Sequence, residues 1–180
     1  MRIVMLAGTA AALAPASAFA VDYLSAEQAA RLMFPEADQF ESRTVDLDAA
    51  ELQHFEATTG VRARSAHWPL RLAKKNGAVL GYVVTDEVIG KFELIGYAVG
   101  LTADGAVKQI EILSYRESHG GEIRLPAWRR QFVGKTAASP IKVGEDIANI
   151  SGATLSCSHV TDGVRRIVAL VDLARRSGKL

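Results

Sequence analysis

The chain contains one cysteine, Cys157, and this scarcity excludes several kinds of site. A single thiol cannot form an internal disulfide, and it cannot supply the several sulfur ligands of a Cys-based zinc site or an iron–sulfur cluster. The Cys-x-x-Cys-His pattern of haem attachment is missing as well. If the protein transfers electrons, we therefore expect a cofactor that is held by other residues.

The sequence also lacks a charge excess and, after residue 20, any long apolar run. The formal net charge of the 180 residues is +1, and removal of Arg2 with the first 20 residues leaves 20 basic and 20 acidic residues. Binding to nucleic acid or to a strongly anionic membrane would need a basic excess. The composition therefore predicts no nucleic-acid partner.

Residues 1–20 have the pattern of a secretory signal peptide. Arg2 is followed by an uncharged apolar stretch that ends in Ala18-Phe19-Ala20, a small-x-small cleavage pattern. We predict cleavage after Ala20 and an exported, periplasmic protein. The alternative is an uncleaved N-terminal anchor that keeps the protein membrane-associated, but Pro15 and the many small residues favour cleavage.

Two capping boxes predict short helices near the start of the remaining 160 residues. Ser25 with Gln28 predicts a helix near 26–34, and Asp48 with Glu51 predicts a second near 49–58, with Gly60 as its C-terminal cap. We therefore expect residues 21–66 to form an N-terminal helical extension.

From about residue 67, apolar and β-branched runs replace the helix signals. Strands are predicted at 79–85, 94–100 and 107–115, and Thr102–Gly105 predicts a tight turn between the last two. Alternation of Ile110 and Ile112 with Gln109 and Glu111 predicts a strand with one wet face. The expected fold is α+β, an antiparallel sheet with flanking helices, in a domain over residues 67–180.

The last helix is predicted from a stripe of apolar residues at helical spacing: Val160, Val164, Ile167, Val168 and Val171. The loop Ser151-Gly152-Ala153-Thr154 precedes it, so the helix should start near residue 154. Free N–H groups at a helix start favour a phosphate. The alternative is that a serine of this loop caps the helix and nothing more.

The segment Ser151-Gly152-Ala153-Thr154-Leu155-Ser156 resembles the S/T-G-A-T signature of the FMN-binding domain family. That family includes the periplasmic flavin-bearing subunits of sodium-pumping quinone reductases and related electron-transfer complexes. Residues 90–123 and 127–135 are similar to the stretch that precedes the signature. The resemblance implies an FMN-binding-domain-like fold and FMN attached covalently to Thr154 through a phosphodiester. It also implies a flavin transferase for maturation and a membrane-bound electron-transfer complex or reductase as partner.

One position departs from the family pattern. The family commonly has Asp three residues before the first Ser or Thr, and this chain has Ala148 there, with Asp146 and Asn149 nearby. This departure keeps a second interpretation open, a ligand-binding or interaction module of the same fold without flavin. The favoured interpretation is an electron-transfer component rather than a stand-alone enzyme, and no catalytic residue is assigned.

By the resemblance, the loop that contains Glu117, His119, Gly120 and Gly121 helps form the flavin pocket, and Trp128 and Lys135 are further candidates for it. Two glycines would let the backbone pass close to a flat ring, and Trp128 could stack on it. Within the signature segment, Ser151 and Ser156 could donate hydrogen bonds to the phosphate, and Gly152 and Ala153 keep the loop small. Solvated His119 and Lys135 and a core Trp128 are the simpler alternatives.

The sequence also contains the residue types of three other kinds of site. Ser151 or Ser156 with His159 and Asp162 has the residue types of a hydrolytic triad, but these residues share one helix and no Gly-x-Ser-x-Gly elbow is found. The four histidines, His54, His67, His119 and His159, lack metal-ligand spacing. Cys157 near a helix start could have a lowered pKa, or it could be a buried, inert thiol.

Overall fold

The computed structural model describes residues 21–180, so the predicted signal peptide lies outside the described residues. Within that range an antiparallel six-stranded sheet has the order β1-β6-β5-β4-β3-β2. The strands are β1 (Val21–Asp22), β2 (Gln39–Asp46), β3 (His67–Lys75), β4 (Ala78–Ile89), β5 (Leu94–Thr102) and β6 (Val107–Tyr115). The helices are α1 (Ala26–Met33), α2 (Ala49–Thr59), α3 (Pro126–Arg129) and α4 (Thr154–Arg176). The predicted α+β class is confirmed.

The two capping boxes form as predicted. The Ser25 hydroxyl accepts from the Gln28 N–H at 3.1 Å, and the Gln28 side chain accepts from the Ser25 N–H at 2.8 Å. Asp48 and Glu51 make the same reciprocal pair at 2.9 and 2.8 Å. Gly60 ends α2 with left-handed backbone, at φ 67°. Local hydrogen bonds alone therefore fix where α1 and α2 begin, as the sequence indicated.

The three predicted strands are confirmed as parts of β4, β5 and β6, and Thr102–Gly105 closes the hairpin between β5 and β6. One prediction for β6 is wrong. Glu111 was expected on a wet face, but it is buried and forms an ion pair with Arg129. The guanidinium of Arg129 also donates to the Ile110 carbonyl at 2.8 Å, so Arg129 contacts both Ile110 and Glu111 of β6.

The description of residues 21–66 as a helical extension needs correction. Besides α1 and α2, this segment supplies β1, which pairs with β6, and β2, which pairs with β3 along its whole length. Val45 and Phe55 from the segment are buried in the main core. Residues 21–66 therefore contribute to the sheet and to its core.

Helices cover both faces of the sheet. On one face α1 packs Ala29, Ala30, Met33 and Phe34 against residues such as Val83 and Ala98. On the other face α4 buries the whole predicted stripe from Val160 to Val171 in the main core, together with α2. None of the helices within residues 21–180 is long and apolar enough to cross a membrane.

A buried ionic link also holds α4 on the sheet. Arg166 is 7% exposed and donates to the Asp86 carboxylate at 3.3 Å and to the Arg62 carbonyl at 2.8 Å. The Tyr97 hydroxyl donates to the same carboxylate at 2.8 Å. Arg166 therefore links α4 to Asp86 of β4 and to the backbone after α2.

Candidate functional site

Helix α4 starts without a side-chain cap. Its N-cap residue is Ala153, at φ −126°, which makes no side-chain cap hydrogen bond. The Ala153 N–H donates to the Ile150 carbonyl at 3.0 Å, and the Cys157 N–H donates to the Ala153 carbonyl at 2.9 Å. The simpler interpretation, a serine N-cap, is therefore wrong. A methyl group cannot accept the N–H groups that a helix start leaves without intrahelical partners.

Thr154 is the first residue of α4 and its side chain is exposed. Its Oγ1 accepts a hydrogen bond of 3.1 Å from the amide Nδ2 of Asn149, five residues earlier in the chain. Ser151 and Gly152 are exposed in the turn before it, and Leu155 is 47% exposed after it. The Thr154 hydroxyl, to which the family resemblance assigns flavin attachment, is thus accessible to a reaction partner.

A cavity of about 480 Å³ lies beside Thr154. Three chain segments line it: the turn after β4, the segment after β6, and the start of α4. The lining residues are Lys91, Phe92, Glu117, Ser118, His119 and Gly152–Ser156. The structure therefore brings the predicted signature together with the predicted Glu117 and His119. The volume is within the range of small-molecule sites.

The turn that carries Lys91 and Phe92 was not predicted as part of the site. Phe92 is 73% exposed and the Lys91 ammonium lies 4.8 Å from the centre of its ring. The sequence did offer a signal for this turn, because a Phe within the polar segment Gly-Lys-Phe-Glu is uncommon unless its ring has a binding partner. It could not show on its own that the turn lies opposite residue 154.

Glu117 contacts this turn rather than open solvent. One oxygen of its carboxylate accepts the backbone N–H groups of Lys91, Phe92 (2.6 Å) and Glu93 (3.0 Å). Desolvation works to raise the pKa of Glu117, but these three N–H groups outweigh it and lower the pKa. The carboxylate therefore stays charged and fixes the turn at the edge of the cavity.

Gly120 and Ser156 join the segment after β6 to α4. Gly120 has a left-handed φ of 85°, and a Cβ there would overlap the Cβ of Ala153 and lie 2.8 Å from the Tyr115 hydroxyl. The buried Ser156 hydroxyl lies 3.3 Å from that of Tyr115, which donates to the His119 carbonyl. Burial raises the pKa of Tyr115. Ser156 thus connects two walls of the cavity, and its expected contact with a phosphate stays a prediction.

The remaining predicted site residues lie outside the lining of this cavity. Gly121 borders a neighbouring depression of about 630 Å³, with Tyr23 and Arg124. Trp128 is 5% exposed, packs edge-on against Phe132 and donates to the Ala148 carbonyl at 2.8 Å. The Lys135 ammonium is 2.7 Å from Asp146. Trp128 therefore has the core role that was its simpler alternative, and Lys135 pairs with a loop carboxylate.

Ala148, the position that departs from the family pattern, is fixed by hydrogen bonds of its backbone. The Ala148 N–H donates to the Gln131 amide oxygen at 2.8 Å, while its carbonyl accepts from Trp128. Asp146 is not a substitute for the missing aspartate, because it accepts from Lys135, Lys142 and Ile141. Asn149 is the polar side chain in contact with Thr154.

The other kinds of site considered from the sequence are not assembled. His159 Nδ1 is 2.6 Å from the Ile89 carbonyl, and Asp162 pairs with Arg165 at 2.8 Å, so neither serves Ser151 or Ser156. Within residues 21–180 no three His, Cys, Asp or Glu side chains are grouped to hold a metal ion. Cys157 is fully buried, and burial raises the pKa of its thiol, so the reactive-thiol alternative is wrong.

The chain matches one family model and is similar to solved structures. Residues 90–169 match the model of the FMN-binding domain family. The chain is also similar to the crystal structure of Shewanella oneidensis NqrC, with 14% identity and a TM-score of 0.49 over 83% of this chain and 88% of that one. A second similar structure is a subunit of the Na⁺-translocating NADH-quinone reductase from Parabacteroides distasonis. It has 18% identity and a TM-score of 0.46 over 77% and 82% of the two chains.

No curated protein sequence matches this chain significantly. The family match includes Lys91 and Phe92, the segment at 117–119 and the residues at 152–156, which together line the cavity beside Thr154. Residues 90–169 of this chain belong to the FMN-binding domain family.

Proposed function

We propose that this protein is an exported flavoprotein electron carrier whose FMN is attached through a phosphodiester to Thr154. The observation that carries the proposal is an exposed threonine hydroxyl at the uncapped start of α4, beside a cavity of about 480 Å³ within an FMN-binding domain. FMN supplies the ability to accept and release electrons singly or in pairs.

The residues around Thr154 suit a phosphate. N–H groups in the first turn of α4 offer donors and the positive end of the helix dipole, and no side chain occupies the cap position. The Asn149 amide, 3.1 Å from Thr154 Oγ1, offers one further donor. Exposed Ser151 lies in the turn before the helix and is a candidate for another. These donors are neutral N–H and O–H groups, and Lys91 brings a positive charge to the lining of the same cavity.

Formation of the bond needs a second protein. The hydrogen-bond partner of Thr154 Oγ1 is an amide N–H, which is a donor and not a base, so the hydroxyl is not activated within this chain. A flavin transferase would provide the base that takes the hydroxyl proton. The Oγ1–P bond would form as the phosphoanhydride of a flavin dinucleotide breaks, and the other nucleotide monophosphate would leave.

Covalent attachment fits the proposed location. The signal-peptide pattern of residues 1–20 supports export to the periplasm, where FMN that dissociated would not be replaced. A membrane-bound reductase or electron-transfer complex is the proposed partner, on the basis of the sequence resemblance. In this scheme the chain's own residues orient the ring, shield one side from water and leave an edge accessible.

The attachment site is tested by replacing Thr154 with alanine. The protein is produced in an exporting host together with a flavin transferase, and flavin fluorescence is read on a denaturing gel. Wild type should give a fluorescent band and an intact mass equal to the chain from Val21 plus FMN minus one water. T154A should lose the fluorescence completely and keep its stability, because the Thr154 side chain is exposed.

Ser177→Ala is the matched control, since it removes an exposed hydroxyl at the far end of the same helix, away from the signature and the cavity. It should keep the band. Fluorescence that survives in T154A would place the attachment elsewhere. A wild-type chain with the bare mass would reject covalent flavin altogether and favour the second function, a ligand-binding module without flavin, for which Ala148 is the specific observation.

A further inference from the structure

We propose that Phe92 supplies an apolar face against which the flavin ring tethered at Thr154 packs, and that Glu117 is the positioning residue that holds Phe92 there. This inference rests on the proposed function. It concerns the turn between β4 and β5, which the sequence did not assign to the site. The resemblance pointed to Glu117 as a pocket residue, but its contacts give it a different role.

The first step of the argument is the exposure of Phe92. Among the residues that line the cavity, Phe92 and Leu155 are the large apolar side chains, and they are 73% and 47% exposed. Exposed apolar surface of this size at the rim of a cavity indicates a binding site. A flat aromatic ring system is a suitable occupant, because offset stacking against Phe92 would remove both surfaces from water.

The second step is that Phe92 is held and not merely exposed. The Gly90 N–H donates to the Glu93 carbonyl at 2.7 Å, which closes the turn. The next three N–H groups converge on one oxygen of Glu117, a concavity of backbone donors filled by a carboxylate. A Cβ on Gly90 would lie only 2.5 Å from that oxygen, so glycine gives the carboxylate room.

The third step is that the anchor comes from the opposite wall of the cavity. Glu117 follows β6 and is about 25 residues from the turn that it binds, whereas its neighbours Ser118 and His119 line the same cavity. The lowered pKa of Glu117 keeps the carboxylate charged at neutral pH and supports the anchor. Loss of this one side chain should therefore free the turn that carries Phe92.

The experiment uses two variants of the full chain, Glu117→Ala and Phe92→Ala. In the protein without flavin, amide hydrogen exchange at residues 91–93 should become roughly tenfold faster or more in E117A, because charge-assisted hydrogen bonds are lost. Exchange there should be unchanged in F92A. In the flavin-loaded protein, both variants should lower the fluorescence anisotropy of the flavin and increase its quenching by iodide, and the double variant should add little.

Matched controls separate this mechanism from general effects. Glu122→Ala removes an exposed carboxylate from the same segment, and Leu94→Ala removes a half-exposed apolar side chain next to the turn. Neither residue lines the cavity, so anisotropy and exchange should stay at wild-type values. Glu117→Gln keeps one acceptor oxygen and should give intermediate exchange.

Three results would overturn the inference. Unchanged exchange in E117A would show that the carboxylate does not hold the turn. Unchanged flavin anisotropy in F92A, on a chain that carries flavin, would show that Phe92 does not meet the ring. That result combined with slower reduction by a partner would assign Phe92 to protein docking. A wild-type chain without flavin would mean that the proposed function itself fails. The missing fluorescent band on the denaturing gel would identify that case.

Discussion

Gly120 is the residue at which the segment after β6 touches the loop before α4. Its left-handed backbone is strained for any other residue, and its missing Cβ leaves room for Ala153 and the Tyr115 hydroxyl. The sequence predicted close approach of this glycine to a flavin ring, but the partner in the structure is protein. At the residue scale, then, the segment after β6 is held against α4 by a close contact that no local pattern specifies.

Gly120→Ala should lower the free energy of unfolding by roughly 2–4 kcal/mol, the sum of left-handed strain and overpacking. Gly134→Ala is the matched control, since its φ is 80° but nothing lies within 4 Å of the added Cβ. It should cost only the strain, about 1–2 kcal/mol. Urea denaturation of both variants without flavin measures the difference. Equal losses would show that the contact with Ala153 is unimportant.

The elements of this fold differ in how far the sequence could predict them. Capping boxes fixed the starts of α1 and α2, and an apolar stripe predicted α4, because these signals are local. Strand β2 was missed, since nearly all of its residues are at least partly exposed and Val45 is its one buried side chain. An edge strand of that kind is stabilised by pairing with β3, which a window of sequence does not contain.

Close packing of α4 on the sheet gives a prediction in which two effects oppose each other. Ala is favoured over Gly within a helix by about 1 kcal/mol. At Gly163, however, a Cβ would overlap the Tyr97 hydroxyl and lie 2.7 Å from its ring carbon. Tyr97 is fully buried and donates to Asp86, so it cannot move without breaking that bond.

Gly163→Ala should therefore destabilise the protein by a net amount of about 1–2 kcal/mol, an overpacking cost of up to about 3 kcal/mol less a propensity gain of about 1 kcal/mol. Ala169→Gly in the same helix measures the propensity effect together with the loss of one partly buried methyl group and should cost about 1–2 kcal/mol. Thermal and urea unfolding of the two variants give the comparison. A gain in stability for G163A would mean that helix propensity outweighs packing at this contact.

For the molecule as a whole, the candidate site is assembled from segments far apart in the chain. The signature and the Glu117–His119 segment were predicted to meet, and they line one cavity. The turn at 91–93 was not predicted, because its link to Glu117 spans about 25 residues and runs through backbone N–H groups. Trp128 and Lys135 were expected at the flavin, yet their contacts are with Ala148 and Asp146. Side-chain type alone could not distinguish these roles.

Asp146 makes the stability of the whole molecule depend on pH. Desolvation works to raise the pKa of this carboxyl, but hydrogen bonds from Lys135 and from the N–H groups of Lys142 and Ile141 outweigh it and lower the pKa from its usual value. A carboxyl with a lowered folded-state pKa stabilises the fold above its unfolded-state pKa. That stability is lost as the pH falls through the folded-state pKa.

Asp146→Asn should thus cost about 1–3 kcal/mol of unfolding free energy at pH 7, because hydrogen bonds to a charged group are replaced by neutral ones. The difference from wild type should be constant between pH 7 and about pH 5 and should shrink below about pH 4. Glu145→Gln, which alters the exposed pair with Lys142, should change stability by less than about 0.5 kcal/mol at either pH. Urea unfolding at pH 7, 5 and 3 tests this. A deficit in D146N that persists undiminished at pH 3 would show that the Asp146 charge is not what stabilises the loop.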